Sequence, residues 1–230
     1  IYASKVGLSE FNIVNNISGA FGVFRRSFIE KIGGWDSGTA EDLDITLRIK
    51  KYFGRYPDLK IVFEPDAMGH TDAPDTFVGF FNQRLRWDGD LFYLYWMKHS
   101  RLFNPRLLGW RNLIMQLLTG FFFQLVMPFI IIFYSTYVFI VYSTGFVLGI
   151  WIMVYLFYFV ITAVMFFCFV ALLSERPRQD IKLAVYLPLV PFFTFATRVW
   201  NGLATLKQAL LSAHLESSMA PWWVLKKTKF

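Results

Sequence analysis

The sequence predicts an α/β layer structure followed by an α-helical transmembrane region. Strand-like and helix-like segments alternate up to about residue 110. Three long apolar stretches follow. The composition is 56% hydrophobic and 17% charged, with 27 Phe and a mean hydropathy of +0.44, which suits a chain whose solvent is partly lipid.

Residues 17–24 read as a short strand of small and apolar residues. Residues 25–32 read as a helix stopped by Gly33-Gly34. A loop at 35–40 leads into a helix at 41–52. That helix has acids in its first turn, bases in its last and Gly54 just beyond, and both charge biases complement its dipole. A second strand at 59–64 closes at Pro65. After a loop at 66–74, a long helix is predicted over 75–96. The chain opens at Ile1 on what reads as mid-domain sequence, with no signal-peptide pattern, so a piece of a longer protein is expected.

The first apolar stretch, 113–142, exceeds the roughly 20 residues that cross a bilayer core. It reads as an interfacial helix feeding a crossing from about residue 121, with Pro128 as a kink. The second, 146–173, carries no charge and is the clearest transmembrane helix. The third, 181–211, contains Pro188, Pro191, Arg198 and Asn201, and reads either as a broken transmembrane helix or as an interfacial hairpin.

The loop between the first two stretches has no Lys or Arg, whereas the next carries Arg176, Arg178 and Lys182. The positive-inside rule then puts the second loop, and with it the soluble part, in the cytoplasm. The Lys-rich tail also calls for the inside. A full third crossing would forbid that, which favours a third segment that does not fully cross. The organisation expected is thus 1–98 soluble, 99–120 interfacial, 121–211 transmembrane and 212–230 a basic tail.

The net charge of +7 could suggest nucleic acid, but many of the basic residues gather near the ends of apolar stretches, as at Arg101, Arg106 and Arg111. That placement suits anionic headgroups, so the expected partner is the bilayer and not nucleic acid. The single cysteine, Cys168, excludes an intrachain disulfide.

Two patterns carry chemistry. In Gly38-Thr39-Ala40-Glu41-Asp42-Leu43-Asp44, carboxylates stand at the mouth of a helix after a glycine-containing loop. A carboxylate there can accept backbone amides, and can take a proton from a sugar hydroxyl. Glu41 and Asp42 could equally do no more than cap the helix. In Gln83-Arg84-Leu85-Arg86-Trp87, helical spacing puts Gln83, Arg86 and Trp87 on one face with Arg84 beside it. Guanidinium forks suit phosphate and an indole suits a sugar ring. The plainer alternative is an amphipathic helix lying on the membrane.

In this order, about forty residues apart and just ahead of apolar helices, the pair resembles the E-D and Q-x-x-R-W signatures of processive family 2 glycosyltransferases. These include cellulose, hyaluronan, chitin and poly-N-acetylglucosamine synthases. Ser18-Gly19-Ala20-Phe21-Gly22-Val23-Phe24-Arg25-Arg26, then Gly33-Gly34-Trp35, is similar to the segment preceding E-D, and Trp223-Val224-Leu225-Lys226-Lys227-Thr228 is faintly similar to the family's tail.

The resemblance implies the C-terminal half of a GT-A-type domain. It implies Asp42 as catalytic base at the start of the family's finger helix, with Glu41, Gln83, Arg84, Arg86 and Trp87 binding substrate. The arginines would hold the nucleotide diphosphate and Trp87 would pack on the acceptor sugar. Ala40 stands where cellulose synthases carry Thr, which weakens a cellulose assignment. A Mg²⁺ or Mn²⁺ cofactor is implied, held by a D-x-D upstream of this chain. Neither Asp42-Leu43-Asp44 nor Asp88-Gly89-Asp90 is in the place of that motif. No residue of this chain is assigned to metal: His70 reads as polar surface, and His99 and His214 have no supporting context.

The implied protein is a multi-pass integral membrane enzyme with a cytoplasmic catalytic side. It would polymerise sugar from a UDP-sugar, UDP-N-acetylglucosamine being the donor to try first, onto a β-linked polysaccharide acceptor with inversion. An accessory membrane subunit is left open. One alternative is a nonprocessive enzyme glycosylating ceramide or polyprenyl phosphate. Another is a non-enzymatic membrane protein, which would leave Asp42 and Trp87 unexplained in their contexts.

Overall fold

The structure, a computed structural model, describes residues 2–19, 21–36, 40–67 and 74–211. It falls into two compact units. One gathers Ile1–Met127 with the chain from Asn201 onward, and the other is Pro128–Trp200.

The first unit is built around a helix buried on all sides. Helices α1 (Tyr2–Glu10) and α2 (Arg26–Lys31) precede α3 (Glu41–Lys50). Leu43 and Leu47 of α3 enter one core with Leu94, Tyr95, Leu102, Leu108, Leu113 and Leu125. Ile45 and Ile49 enter another with Val14, Ile29, Phe53 and Ile61. The two pairs are offset by two residues, about 200° around the axis, so they point to opposite sides. An α-helix apolar on both sides has to be sandwiched. The α2 helix ends as its glycines predict. Gly33 and Gly34 have φ of 84° and 68°, and their amides bond back to Glu30 O at 3.2 Å and Ile29 O at 2.9 Å. That is the 6→1, 5→2 pattern of a Schellman end.

The α/β component of the predicted fold is not borne out by the described residues. Among the described residues there is no β-ladder. Residues 17–19, 21–24 and 59–64 form neither helix nor ladder. Side chains supply hydrogen bonds that a neighbouring strand would make. Asn12 Nδ2 donates to Leu59 O at 2.8 Å, and Asn12 Oδ1 accepts from Ile61 N at 3.1 Å. Ser9 Oγ accepts from Phe63 N at 2.8 Å, and Thr46 Oγ1 from Ile17 N at 3.0 Å. Small and apolar composition and the closing Pro65 marked these segments as strands. A strand also needs a backbone partner, and local composition says nothing about one.

The long helix predicted over 75–96 is α4 (Phe77–Phe92), continued by a π-helical stretch, Tyr93–Lys98. Thr76 caps α4, its Oγ1 accepting from Gly79 N at 3.1 Å. After α5 (Pro105–Leu108), the first apolar run is helical from Trp110 to Val141. It passes through α6 (Trp110–Met115), a π stretch (Gln116–Val126) and α7 (Met127–Val141). The π register ends two residues before Pro128, which has no amide to donate and which the sequence marked as a kink.

Gly120 of this π stretch lies against the buried phenol of Tyr95, whose hydroxyl donates to Gln116 Oε1. A Cβ at residue 120 would occupy the space of that ring. Gly120→Ala should therefore destabilise the protein by about 1–3 kcal/mol, the usual cost of overpacking. A lower melting temperature in detergent checks this.

Two further helices are long and apolar enough to cross a membrane. They are α8 (Thr144–Leu172), with mean hydropathy 2.5, and the run Pro177–Leu211, with 1.4. Phe157 of α8 is 62% exposed, one of many large apolar side chains on that helix facing away from protein. The third run is helical throughout, not a hairpin. It comprises α9 (Pro177–Asp180), a 3₁₀ stretch (Ile181–Leu189) that accommodates Pro188, and α10 (Val190–Leu211). Within the second unit, Tyr155 Oη of α8 donates to Pro188 O at 3.2 Å, and Trp151 meets Phe195 edge-on at 4.9 Å. Within the first, Asn201 Nδ2 of α10 donates to Gln124 Oε1 at 3.2 Å.

Lys50, in the last turn of α3, is fully buried, and its Nζ has no hydrogen-bond partner. Burial lowers its pKa to about 7, against about 10.4 in an unfolded chain. Between those values the unfolded chain binds more protons than the folded one, so stability rises with pH over that window. Lys50→Met should flatten this rise and raise the melting temperature at pH 7. Melting curves at pH 7 and pH 9 check both.

Candidate active site

The first turn of α3 carries Glu41 and Asp42. Ala40 enters the helix in the left-handed region, with φ 48° and ψ 40°, and offers no side-chain cap. An L-residue held there costs about 1–2 kcal/mol, and strain of this kind gathers at functional sites. Asp42 Oδ1 accepts from Leu43 N at 2.7 Å, and Asp42 Oδ2 accepts from Asn16 Nδ2 at 3.1 Å. Thr46 Oγ1 donates to Asp42 O at 2.6 Å and accepts from Ile17 N, so residues 16 and 17 are stitched to the turn that holds the carboxylate. Gly19 completes the wall. A Cβ there would lie 3.1 Å from Glu41 Oε1 and 3.3 Å from Asp42 Cβ. Asn16 was not singled out from sequence, because a lone amide in an extended segment carries no pattern.

Helix α4 carries the second motif. The Arg84 guanidinium lies 4.9 Å from the Trp87 ring centroid and 5.6 Å from that of Phe80. Its Nε is buried and has no hydrogen-bond partner. A guanidinium braced between two rings, with an unanswered donor, is prepared for an anion. Trp87 remains 46% exposed, with indole surface open to a ligand. Gln83 and Arg86 are half-buried.

The structure adds a cluster that sequence reasoning missed. Asp44, 1% exposed, has Lys98 Nζ at 3.0 Å and His99 Nε2 at 2.7 Å on the same Oδ1, with Arg48 Nη1 3.9 Å from Oδ2. Lys98 also reaches Asp36, at 3.3 Å from its carboxylate and 2.8 Å from its carbonyl. Arg48 donates to Ile32 O and Gly34 O, tying α3 to the end of α2. Burial pushes the Asp44 carboxyl up, but hydrogen bonds from His99 and Lys98 and the Lys98 charge outweigh it and hold it below the ordinary carboxylate range. His99 therefore has a context that its neighbours in sequence did not reveal. The available signal was Asp44 itself, an acid set between the apolar Leu43 and Ile45 on a helix with apolar residues on opposite sides, where a buried carboxylate would demand a partner. His70 and His214 lie outside the described residues, as do Gly38, Thr39 and 223–228.

The two motifs therefore ride on elements that meet. Leu43 and Leu47 of α3 share a core with Leu94 and Tyr95, and Ala40 and Leu91 pack against the same core. Trp87 lies one turn before Leu91 and two before Leu94, about 10 Å along the axis, and is itself outside that core. Side-chain contacts join Asp42 with Asn16, and Arg84 with Trp87 and Phe80. Leu43, Leu47 and Asp44 carry α3 onto the run that continues α4.

A divalent metal does not fit the described residues. Among them, no three His, Cys, Asp or Glu side chains converge on one point.

Residues 9–196 match the family described as Glycosyl transferase family group 2. The chain is 32% identical over 92 residues to poly-beta-1,6-N-acetyl-D-glucosamine synthase of Staphylococcus epidermidis, a stretch that is 37% of this chain and 21% of the relative. It is 34% identical over 91 residues to the synthase of the same name from Staphylococcus aureus, with the same coverage. The chain thus spans about a fifth of the length of the curated relatives it matches. No solved structure matches. With the family match running through both motifs and into the apolar helices, the chain belongs to glycosyl transferase family group 2.

Proposed function

We propose that this chain carries the acceptor side and part of the donor-diphosphate site of a membrane-bound, inverting polysaccharide synthase. The observation that carries the reading is the Arg84 guanidinium, braced by Trp87 and Phe80 with a buried, unanswered Nε, on a helical run packed against the helix of Asp42.

Asp42 takes the proton from the acceptor hydroxyl as that oxygen attacks the anomeric carbon. The bond from that carbon to the nucleoside diphosphate breaks, the diphosphate leaves with the bonding pair, and the configuration inverts. Asn16 and the Leu43 amide hold the Asp42 carboxylate in one orientation, which general base catalysis requires. Arg84 and Arg86 neutralise charge developing on the leaving diphosphate. Gln83 and the open face of Trp87 receive the acceptor sugar, with Glu41 beside it.

The names of the relatives favour a polymer of N-acetylglucosamine, with UDP-N-acetylglucosamine as donor, over a single glycolipid. The soluble part sits in the cytoplasm, supported by the bases between the second and third apolar runs.

Membranes holding the full-length protein, incubated with labelled UDP-sugars, test the reading by product size. Labelled polymer from UDP-N-acetylglucosamine is expected. A single labelled glycolipid would transfer the assignment to a nonprocessive enzyme, and no product from any UDP-sugar would end it.

A further inference from the structure

We propose that Asp44, with Lys98 and His99, is a positioning clamp that sets the helix of Asp42 against the helical run bearing Gln83–Trp87. The inference rests on the reading of Asp42 as base. Asp44 itself faces into protein and touches no reacting atom.

Asp44 lies two residues after Asp42 in α3, and its partners Lys98 and His99 close the run that begins at Phe77. The two elements also share a leucine core, which is non-directional and tolerates sliding. A carboxylate receiving Lys98 at 3.0 Å and His99 at 2.7 Å does not slide. The π-helical stretch matters here. The His99 amide bonds to Leu94 O at 2.8 Å, five residues back, where α-helical pairing would use Tyr95 O. That extra residue per turn changes the facing of the residues after it. Lys98 and His99 are the residues so placed, and both reach Asp44.

Energetics points the same way. A carboxylate this buried persists only because it is paired, so loss of Lys98 or His99 weakens the pairing that holds α3 to the run and leaves a poorly compensated buried charge. The groups that face Asp44 are Arg48 from its own helix and Lys98 and His99 from the run, and Asp36 holds Lys98 from the far side. An ångström of displacement in a reacting group can cost about 10²-fold in rate.

The experiment uses the full-length protein in membranes, with kcat and donor KM measured for Asp44→Asn, Lys98→Met, Lys98→Arg and the double variant Asp44→Asn/Lys98→Met. Asp44→Asn and Lys98→Met should each lower kcat by about 10–100-fold with donor KM within about twofold of wild type. Lys98→Arg, which keeps the charge, should recover most of the loss. The double variant should lose little more than either single one, because both remove the same contact. A folded Lys98→Met enzyme with wild-type kcat would overturn the clamp. So would multiplicative losses in the double variant, or equal damage from Lys98→Arg and Lys98→Met. Should Asp44→Asn fail to accumulate, the two Lys98 variants decide alone. Wild-type kcat in Asp42→Asn would fail the base reading itself. An inactive Asp42→Asn beside a fully active Lys98→Met would fail only the clamp.

Discussion

Asp42→Asn in the full-length protein should reduce sugar transfer by about 10²–10⁴-fold, the span that a positioned general base contributes, while leaving donor binding intact. The substitution is nearly isosteric. An Asn side-chain oxygen at residue 42 can still accept from the Leu43 amide, which Asp42 Oδ1 now does at 2.7 Å, so the first turn of α3 keeps its internal partner. The capacity to accept a proton is lost. The contact with Asn16 is also weakened, because two amides meet where an amide met a carboxylate. Labelled-sugar incorporation together with donor binding by calorimetry or fluorescence checks both halves. Near-normal polymer yield would remove Asp42 from the reaction. Loss of donor binding along with transfer would mean that the residue organises the site and does not act as base.

Arg86→Lys should weaken donor binding by about ten- to a hundredfold. A guanidinium offers a planar fork that meets a phosphate with two parallel bonds, whereas an ammonium meets it as a point charge. Hydrogen bonds to charged groups are worth about 1.5–3 kcal/mol, which sets that range. The formal charge is unchanged, so long-range attraction of the donor survives and the deficit lies in short-range geometry. Donor affinity measured in low and high salt separates the two: the deficit should persist as salt rises. Wild-type affinity in Arg86→Lys would assign the diphosphate to Arg84 alone. Arg84 already has Trp87 at 4.9 Å on its flat face, an arrangement that a lysine could not reproduce.

The helical placement of the candidate site residues was legible in the sequence because its signals are local. Acids in the first turn of a helix, and a Gln, two Arg and a Trp at helical spacing, keep their meaning whatever surrounds them. The structure places Glu41 and Asp42 in the first turn of α3, and Gln83, Arg84, Arg86 and Trp87 within α4. The apolar runs were legible for a similar reason: length and hydropathy alone satisfy the requirement for crossing.

The sequence by itself determined the helices that became α2, α3, α4 and α8, where α2 stops, and which runs are apolar enough for lipid. Each of these depends on residues within a turn or two of one another. Only the tertiary structure decided the rest. It left the predicted strands without a ladder among the described residues, because a strand needs a partner that local composition cannot supply. It made α3 a helix enclosed on both sides, and so brought Asp44 against Lys98 and His99, the latter fifty-five residues downstream. Pairings across such distances depend on which faces the chain buries together, and burial is a property of the whole packed unit, not of any window along it.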